Sequence, residues 1–155
     1  EANGRPNLVG IEAVSFNLSH SADVAALAIS RDTRVGVDVE DIREIRSDEI
    51  ERALSIAERL ELAEAADALQ LETFFRFWTL KEAFMKGTGL GASLPLHDFD
   101  VSPAGPGLLR LKSAPTEPGR WRFDEFVPKP GIRAALAART DDRDLVVQWR
   151  WADFE

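Results

Sequence analysis

The sequence predicts an α+β fold in which helices pack against a mostly antiparallel sheet. Short apolar segments typical of strands lie towards both ends of the chain, and Glu-, Ala- and Leu-rich segments with helical spacing lie between them. Pro- and Gly-rich loops separate the later strands. With 155 residues and 45% hydrophobic content, the chain can bury one sizeable core. We therefore expect a single compact α+β unit.

Three strands are expected in the first third of the chain. Residues 14–18 form a short apolar stretch that precedes a Ser-His-Ser turn, and residues 23–30 form an Ala/Val/Leu/Ile run. Residues 34–42 alternate valines with charged residues. Their alternation and the turn residues between them predict strands of one sheet.

Helices are expected in the middle of the chain. Residues 47–69 place apolar side chains at helical spacing, which predicts one or two helices. Residues 71–86 form a further helix, and Gly87, Gly89 and Gly91 follow it. Glycine is common just after a helix, so we expect this helix to end there.

Strands return after Pro95. Residues 99–101, 108–111 and 121–127 are short and separated by Pro/Gly loops. Two further segments, residues 132–139 and 145–151, flank an Asp-Asp pair. Their alternating pattern predicts a β-hairpin, with one face of its second strand apolar.

Composition excludes several classes of protein. The formal charge of −8, from 27 acidic and 19 basic residues, argues against nucleic acid as a partner. No apolar run approaches the roughly 20 residues of a membrane span, so we expect no membrane association. The chain has no cysteine, which excludes disulfides, thiolate zinc sites and a cysteine nucleophile and fits a reducing cytoplasm.

The segment Gly-Val-Asp-Val-Glu holds a candidate metal site. Asp38 and Glu40 stand two residues apart on a predicted strand, so both carboxylates project from one face while the valines face the other way. Adjacent like charges repel unless a cation lies between them, and Mg²⁺ prefers oxygen ligands. Taken alone, the pair is better explained by a solvated edge strand with its acidic residues outward.

The helix at residues 71–86 carries a second candidate cluster. Phe77, Leu80 and Phe84 form a stripe that faces the core, whereas Glu82 and Lys86 lie one turn apart on roughly the opposite face. Further aromatic residues beside them predict a partly enclosed setting, where an unpaired charge is costly. The alternative is an ordinary Glu/Lys surface pair.

A third cluster lies in Phe-Asn-Leu-Ser-His-Ser, where Ser19 and His20 offer hydrogen-bond donors suited to a phosphate. A lone histidine at a strand end is more often structural, so this cluster is weak by itself.

In this order, the three clusters, including Trp-Thr-Leu-Lys-Glu-Ala-Phe-Met-Lys, resemble the signature of the 4′-phosphopantetheinyl transferase superfamily. Gly-Thr-Gly-Leu-Gly after the helix and Gly4-Arg5-Pro6 near the start are also similar to the family. The histidine cluster resembles the larger type, which activates peptide and polyketide synthetases and folds as a pseudodimer of two half-domains. The resemblance is close over residues 3–101.

The resemblance implies a site and an activity. The enzyme would move phosphopantetheine from coenzyme A to a serine of an acyl or peptidyl carrier protein and release adenosine 3′,5′-bisphosphate. Asp38, Glu40 and Glu82 would hold Mg²⁺, and Glu82 would accept the serine proton. The groups implied to bind coenzyme A are Lys81 and Lys86 at the pyrophosphate and Arg5, Ser19 and His20 at the 3′-phosphate and adenosine.

The resemblance also implies a domain organisation. Residues 1–34 would be the tail of an N-terminal half-domain and residues 35–155 the C-terminal metal-binding half-domain, one half of the pseudodimer. We expect a longer parent protein, in which the other half-domain, or else self-association, covers the exposed half-interface. Arg43 and Arg46 are candidates for contacting the acidic carrier, with a solvated turn as the alternative.

Two other functions are weighed against this one. An inactive coenzyme A or carrier-protein binding module with the same fold would not need all three carboxylates and both lysines. A different Mg²⁺-dependent phosphotransferase would need a nucleotide cradle, but the only Gly-rich stretch follows a helix instead of preceding one.

Overall fold

Strands, helices and strands follow one another along the chain, as the sequence predicts. The computed structural model describes residues 14–103, 109–111, 121–140 and 145–152. The strands are β1 (Ser15–Ser21), β2 (Val24–Ser30), β3 (Val35–Asp41), β4 (Val101–Pro103), β5 (Leu109–Leu111), β6 (Trp121–Phe126) and β7 (Ile132–Arg139). The α-helices are α1 (Ser47–Ala53), α2 (Ile56–Glu64) and α3 (Gln70–Thr88).

The central sheet has the strand order β3-β7-β6, with both pairs antiparallel. In its register Asp38 lies opposite Ala135. Strands β1 and β2 form a separate antiparallel hairpin, and β4 pairs with β5. The α+β class with antiparallel pairing is therefore confirmed, but the first three predicted strands do not share one sheet.

The central sheet is covered on both faces. Helix α3 packs on one face, where Phe74, Phe77 and Phe84 share a buried cluster with Ala135 and Ala137 of β7. On the other face, buried side chains of β3 and β7 pack with Ala26 and Ala28 of β2 and with apolar side chains from residues 145–149. Small alanines on β7 leave room for the large aromatic side chains of α3. The result is a layer of helix, a layer of sheet and a layer formed by the hairpin and the last segment.

The predicted hairpin between residues 132–139 and 145–151 is wrong. Residues 132–139 form β7, but residues 145–152 form no strand. Strand β7 is central, with β3 on one edge and β6 on the other, so neither edge can accept another strand. The apolar alternation is still used, because Leu145, Val147 and Trp149 pack onto the sheet.

The helix ends follow from local sequence. Ser55 breaks the predicted helical region in two and caps α2: its hydroxyl accepts from the Glu58 N–H at 3.2 Å, and the Glu58 carboxylate accepts from the Ser55 N–H at 2.9 Å. Helix α3 runs past Gly87 and ends at Gly89, whose φ of 74° suits a residue without a side chain. No described helix is long and apolar enough to cross a membrane.

Candidate active site

Strand β3 presents the carboxylates of Asp38 and Glu40 towards α3. Val35, Val37 and Val39 are buried in the layer on the opposite face. Asp38 is only 1% exposed, and Glu40 is partly buried where the Trp78 indole N–H donates to its Oε1 at 3.2 Å. The predicted alternation along this strand is therefore confirmed.

Helix α3 contributes Lys86 and Glu82 to the region of the β3 carboxylates. The Lys86 ammonium donates to Asp38 Oδ1 at 2.6 Å and to Ser19 Oγ at 3.0 Å. Glu82 lies one helical turn before Lys86. The charges of both Asp38 and Glu40 contribute to raising its pKa. Helix α3 comes this close to β3 because Gly36 has no side chain to hold the two apart.

The hairpin strand β1 closes the free edge of β3. Alternate polar side chains of β1 accept hydrogen bonds from alternate N–H groups of β3, over distances of 2.8–3.4 Å. The acceptors are Ser15, Asn17, Ser19 and Ser21, and the donors are Val35, Val37, Val39 and Asp41. The Ser-His-Ser segment is thus strand and not turn; the turn lies at the next two residues. We call these four contacts the side-chain ladder.

Negative charge in this cluster is only partly compensated. Burial and the charge of Asp38 raise the pKa of Glu40 to about 7. Burial, followed by the charge of Asp38, raises the pKa of Glu82 to about 7 as well. Burial also raises the pKa of Asp38, while Lys86 and Ser19 oppose that shift. A further cation would relieve this repulsion.

The donor set fits a hard divalent cation. Asp38 Oδ2 is buried without a hydrogen-bond partner, and an orphaned carboxylate oxygen is a natural ligand for Mg²⁺. In the described ranges, however, no three carboxylate or imidazole groups are gathered closely enough to enclose an ion as they stand. The metal assignment of Asp38, Glu40 and Glu82 therefore stays a prediction.

The structure does not bring Lys81 to this cluster. Its side chain is fully buried on another side of α3, paired with Glu58, and its ammonium lies 5.0 Å from the centre of the Phe99 ring. Glu58 is itself 3% exposed, and its Oε1 also accepts from the Val101 N–H at 2.8 Å. At this position the Lys81 ammonium is not accessible to a phosphate group of a ligand. Glu58 was not among the residues predicted from the sequence, although Ser55-x-x-Glu58 is a capping-box pattern.

The remaining predicted residues lie apart from the carboxylates or outside the described chain. His20 is exposed and follows Ser19 on β1, so its side chain points to the opposite face of that strand. Arg5 lies outside the described residues. Arg43 pairs with Glu49 at 2.7 Å, and Arg46 with Asp48 at 3.2 Å. Both arginines are thus neutralised locally, which weakens the case for a basic carrier-binding patch.

Comparison with known proteins gives one family. The model of the 4′-phosphopantetheinyl transferase superfamily matches residues 34–140. A 4′-phosphopantetheinyl transferase of Bacillus pumilus is 40% identical over 113 residues, covering 72% of this chain and 48% of that protein. One from Nostoc is 33% identical over 143 residues, covering 88% and 58%. The chain thus spans about half the length of the curated relatives it matches.

Solved structures give the same fold. A holo-(acyl-carrier-protein) synthase of Bacillus anthracis, in complex with CoA (3′,5′-ADP), superposes with a TM-score of 0.59 at 18% identity, over 69% of this chain and 96% of that one. The holo-[acyl-carrier-protein] synthase of Thermotoga maritima gives a TM-score of 0.54 at 20% identity, over 69% and 63%. At these identities the likeness establishes fold.

Proposed function

Because the chain belongs to the 4′-phosphopantetheinyl transferase superfamily, we propose that it transfers phosphopantetheine from coenzyme A to a serine of an acyl or peptidyl carrier protein. The observation that carries the proposal is the ion pair between Asp38 of β3 and Lys86 of α3, together with Glu40 and Glu82, whose pKa values both respond to the charge of Asp38. This cluster holds three carboxylates and the Lys86 ammonium, which is paired with Asp38, at a partly buried surface. Such a set of charges suits the pyrophosphate of coenzyme A together with a cation.

In this proposal Asp38, Glu40 and Glu82 hold Mg²⁺. When bound, the ion would offset the negative charge of the pyrophosphate and of the transferred phosphoryl group. The fit rests on the orphaned Asp38 Oδ2 and on the raised pKa values of Glu40 and Glu82. A cation placed among these groups lowers their pKa values and keeps the carboxylates ionised.

The residues of the chain then act on the proton and the phosphate. The carrier serine oxygen forms a bond to the β-phosphorus, the bond from that phosphorus to adenosine 3′,5′-bisphosphate breaks, and Glu82 accepts the serine proton. In the metal-free chain the pKa of Glu82 is about 7; a bound cation would lower it and leave the carboxylate ionised, in the form that can accept a proton. Lys86 contacts the pyrophosphate as a point charge. His20 and Arg5 contact the 3′-phosphate and adenosine.

We also propose that residues 35–155 are the metal-binding half of a two-half enzyme and residues 1–34 the tail of the other half. The chain's span of 48–61% of the first three relatives supports this organisation. Coenzyme A in the cytoplasm would be the source of the transferred group. A second half-domain or a second copy of the chain would then complete the cleft.

The test is a transfer assay read by mass. The chain is incubated with coenzyme A, Mg²⁺ and an apo carrier protein, and the carrier is weighed by mass spectrometry. We expect the carrier to gain one phosphopantetheine group, with none gained by a carrier whose acceptor serine is alanine. Coenzyme A binding without any gain, in this chain and in one extended at its N-terminus, would instead identify a binding module.

A further inference from the structure

Ser19 occupies the junction between the two charged groups of the candidate site. Its hydroxyl donates to Asp38 Oδ1 at 3.0 Å and accepts from the Lys86 ammonium at 3.0 Å. It also accepts from the Val39 N–H at 3.3 Å, as part of the side-chain ladder. The residue is 7% exposed, so these contacts are made away from solvent.

These contacts use the full hydrogen-bonding capacity of a serine. A hydroxyl has one hydrogen to donate and two lone pairs with which to accept. Ser19 donates its hydrogen to Asp38, and its two lone pairs accept from Lys86 and Val39. A phosphate oxygen only accepts hydrogen bonds, so it would need the Ser19 hydroxyl hydrogen. That hydrogen is already donated to the buried Asp38 carboxylate.

We propose that Ser19 is a positioning residue, which fixes the Asp38 carboxylate and the Lys86 ammonium relative to β3, and is not a ligand of the adenosine 3′-phosphate. This rests on the proposed metal site and refines it. By holding Oδ1, Ser19 leaves Oδ2 as the oxygen of Asp38 that has no protein partner and is free for a cation. Outer-shell partners of this kind orient the groups that bind the metal.

The strand supplies a matched control. Ser21 lies two residues further along β1, on the same face, and accepts from the Asp41 N–H at 3.0 Å. Ser21→Ala therefore removes one contact of the side-chain ladder, as Ser19→Ala does, but leaves the hydrogen bond to Asp38 intact. A loss caused only by weakening the ladder would appear in both variants.

The first arm measures Mn²⁺ affinity of the whole chain without coenzyme A, by electron paramagnetic resonance. We expect Ser19→Ala to weaken Mn²⁺ binding by about tenfold or more, the range seen when an outer-shell partner is removed. Ser21→Ala should bind as wild type does, and Ser19→Thr, which keeps the hydroxyl, should recover most of the affinity. Equal binding by wild type and Ser19→Ala would overturn the proposal.

The second arm compares coenzyme A with its 3′-dephospho form as the donor in the transfer assay. A positioning role predicts that Ser19→Ala lowers transfer from both donors by the same factor. A selective loss with coenzyme A, which abolishes the preference for the 3′-phosphate, would show that Ser19 is a phosphate ligand and overturn the proposal. A wild-type chain that binds no Mn²⁺ would instead refute the metal site itself, so the two failures are distinguishable.

Discussion

Gly36 on β3 and Gly87 on α3 meet backbone to backbone. A Cβ on Gly36 would lie 2.3 Å from the Gly87 nitrogen and 2.1 Å from the Ala83 carbonyl oxygen. Asp38 follows Gly36 by two residues, and Lys86 precedes Gly87 by one. The side chains of Asp38 and Lys86 therefore lie close together where β3 and α3 cross. The two side chains form an ion pair of 2.6 Å.

Gly36→Ala should therefore destabilise the chain. The added methyl group has no flexible neighbour to displace, and such overpacking costs about 1–3 kcal/mol or more. Chemical denaturation measures the loss in free energy of unfolding. Gly91→Ala is the control, because its Cβ would meet nothing within 4 Å and only its φ of 54° resists the change. Equal losses in the two variants would contradict the close-contact explanation.

Glu82→Gln should nearly abolish transfer while the fold is kept. The change preserves shape but removes the proposed proton acceptor and one metal-binding carboxylate, and loss of an acid–base group alone costs about 10²–10⁴-fold in rate. Turnover is measured by the mass of the carrier at saturating coenzyme A, with circular dichroism to confirm folding. Activity within a few-fold of wild type would remove Glu82 from the mechanism.

The buried and crowded carboxyl groups of Glu40 and Glu82 should make the metal-free chain less stable as pH rises. The pKa values of Glu40 and Glu82 are about 7 in the folded chain, against 4.5 for a free glutamate. Between these values the folded chain holds protons that the unfolded chain has lost, so this contribution is present below about 4.5 and is lost as pH rises through 7.

Glu40→Gln tests that linkage, because the amide keeps an oxygen for the Trp78 indole but cannot ionise. With a chelator present, we expect the variant to have the higher Tm at pH 8, by a few degrees, and the difference to vanish near pH 4.5. Thermal unfolding followed by circular dichroism is sufficient. A variant that is less stable than wild type at pH 8 would contradict the raised pKa that burial and the Asp38 charge give Glu40.

The buried pair of Lys81 and Glu58 should matter for stability and not for coenzyme A. Glu58→Gln leaves the Lys81 ammonium buried without a counter-charge, and breaking such a pair costs about 3–5 kcal/mol. Lys81→Met should cost less, because Glu58 keeps N–H donors from Ser55 and Val101. Both losses are measured by denaturation.

The same Lys81→Met variant settles whether this lysine contacts the substrate. Its buried position predicts an unchanged KM for coenzyme A in the fraction of protein that is folded. A KM raised tenfold, with stability unaffected, would return Lys81 to the phosphate-binding site.

Periodicity predicted the parts of the site that depend on local geometry. Alternation along β3 placed Asp38 and Glu40 opposite the valines, and helical spacing placed Phe77, Leu80 and Phe84 towards the core. These patterns are sufficient because a strand or helix fixes the direction of each of its own side chains.

Partner choice over long distances in sequence was not predictable in this way. Nothing local to Ser19 shows that its hydroxyl meets a strand 20 residues later, and nothing local to Lys81 shows that Glu58 lies beside it. The segment 145–151 has the alternation of a strand, yet it cannot pair with β7 because the edges of β7 are already used. Each outcome depends on which edges and pockets the rest of the fold leaves open.

The side-chain ladder also limits how other proteins can approach. Four N–H groups on the outer edge of β3 already donate hydrogen bonds to side chains of β1. An incoming peptide that extends a sheet by strand addition needs such groups free. This edge is therefore closed to augmentation, although it runs directly beside the candidate catalytic carboxylates. A protein that approaches beside these carboxylates therefore has to bind through side-chain contacts and surface shape, and not by adding a strand at this edge.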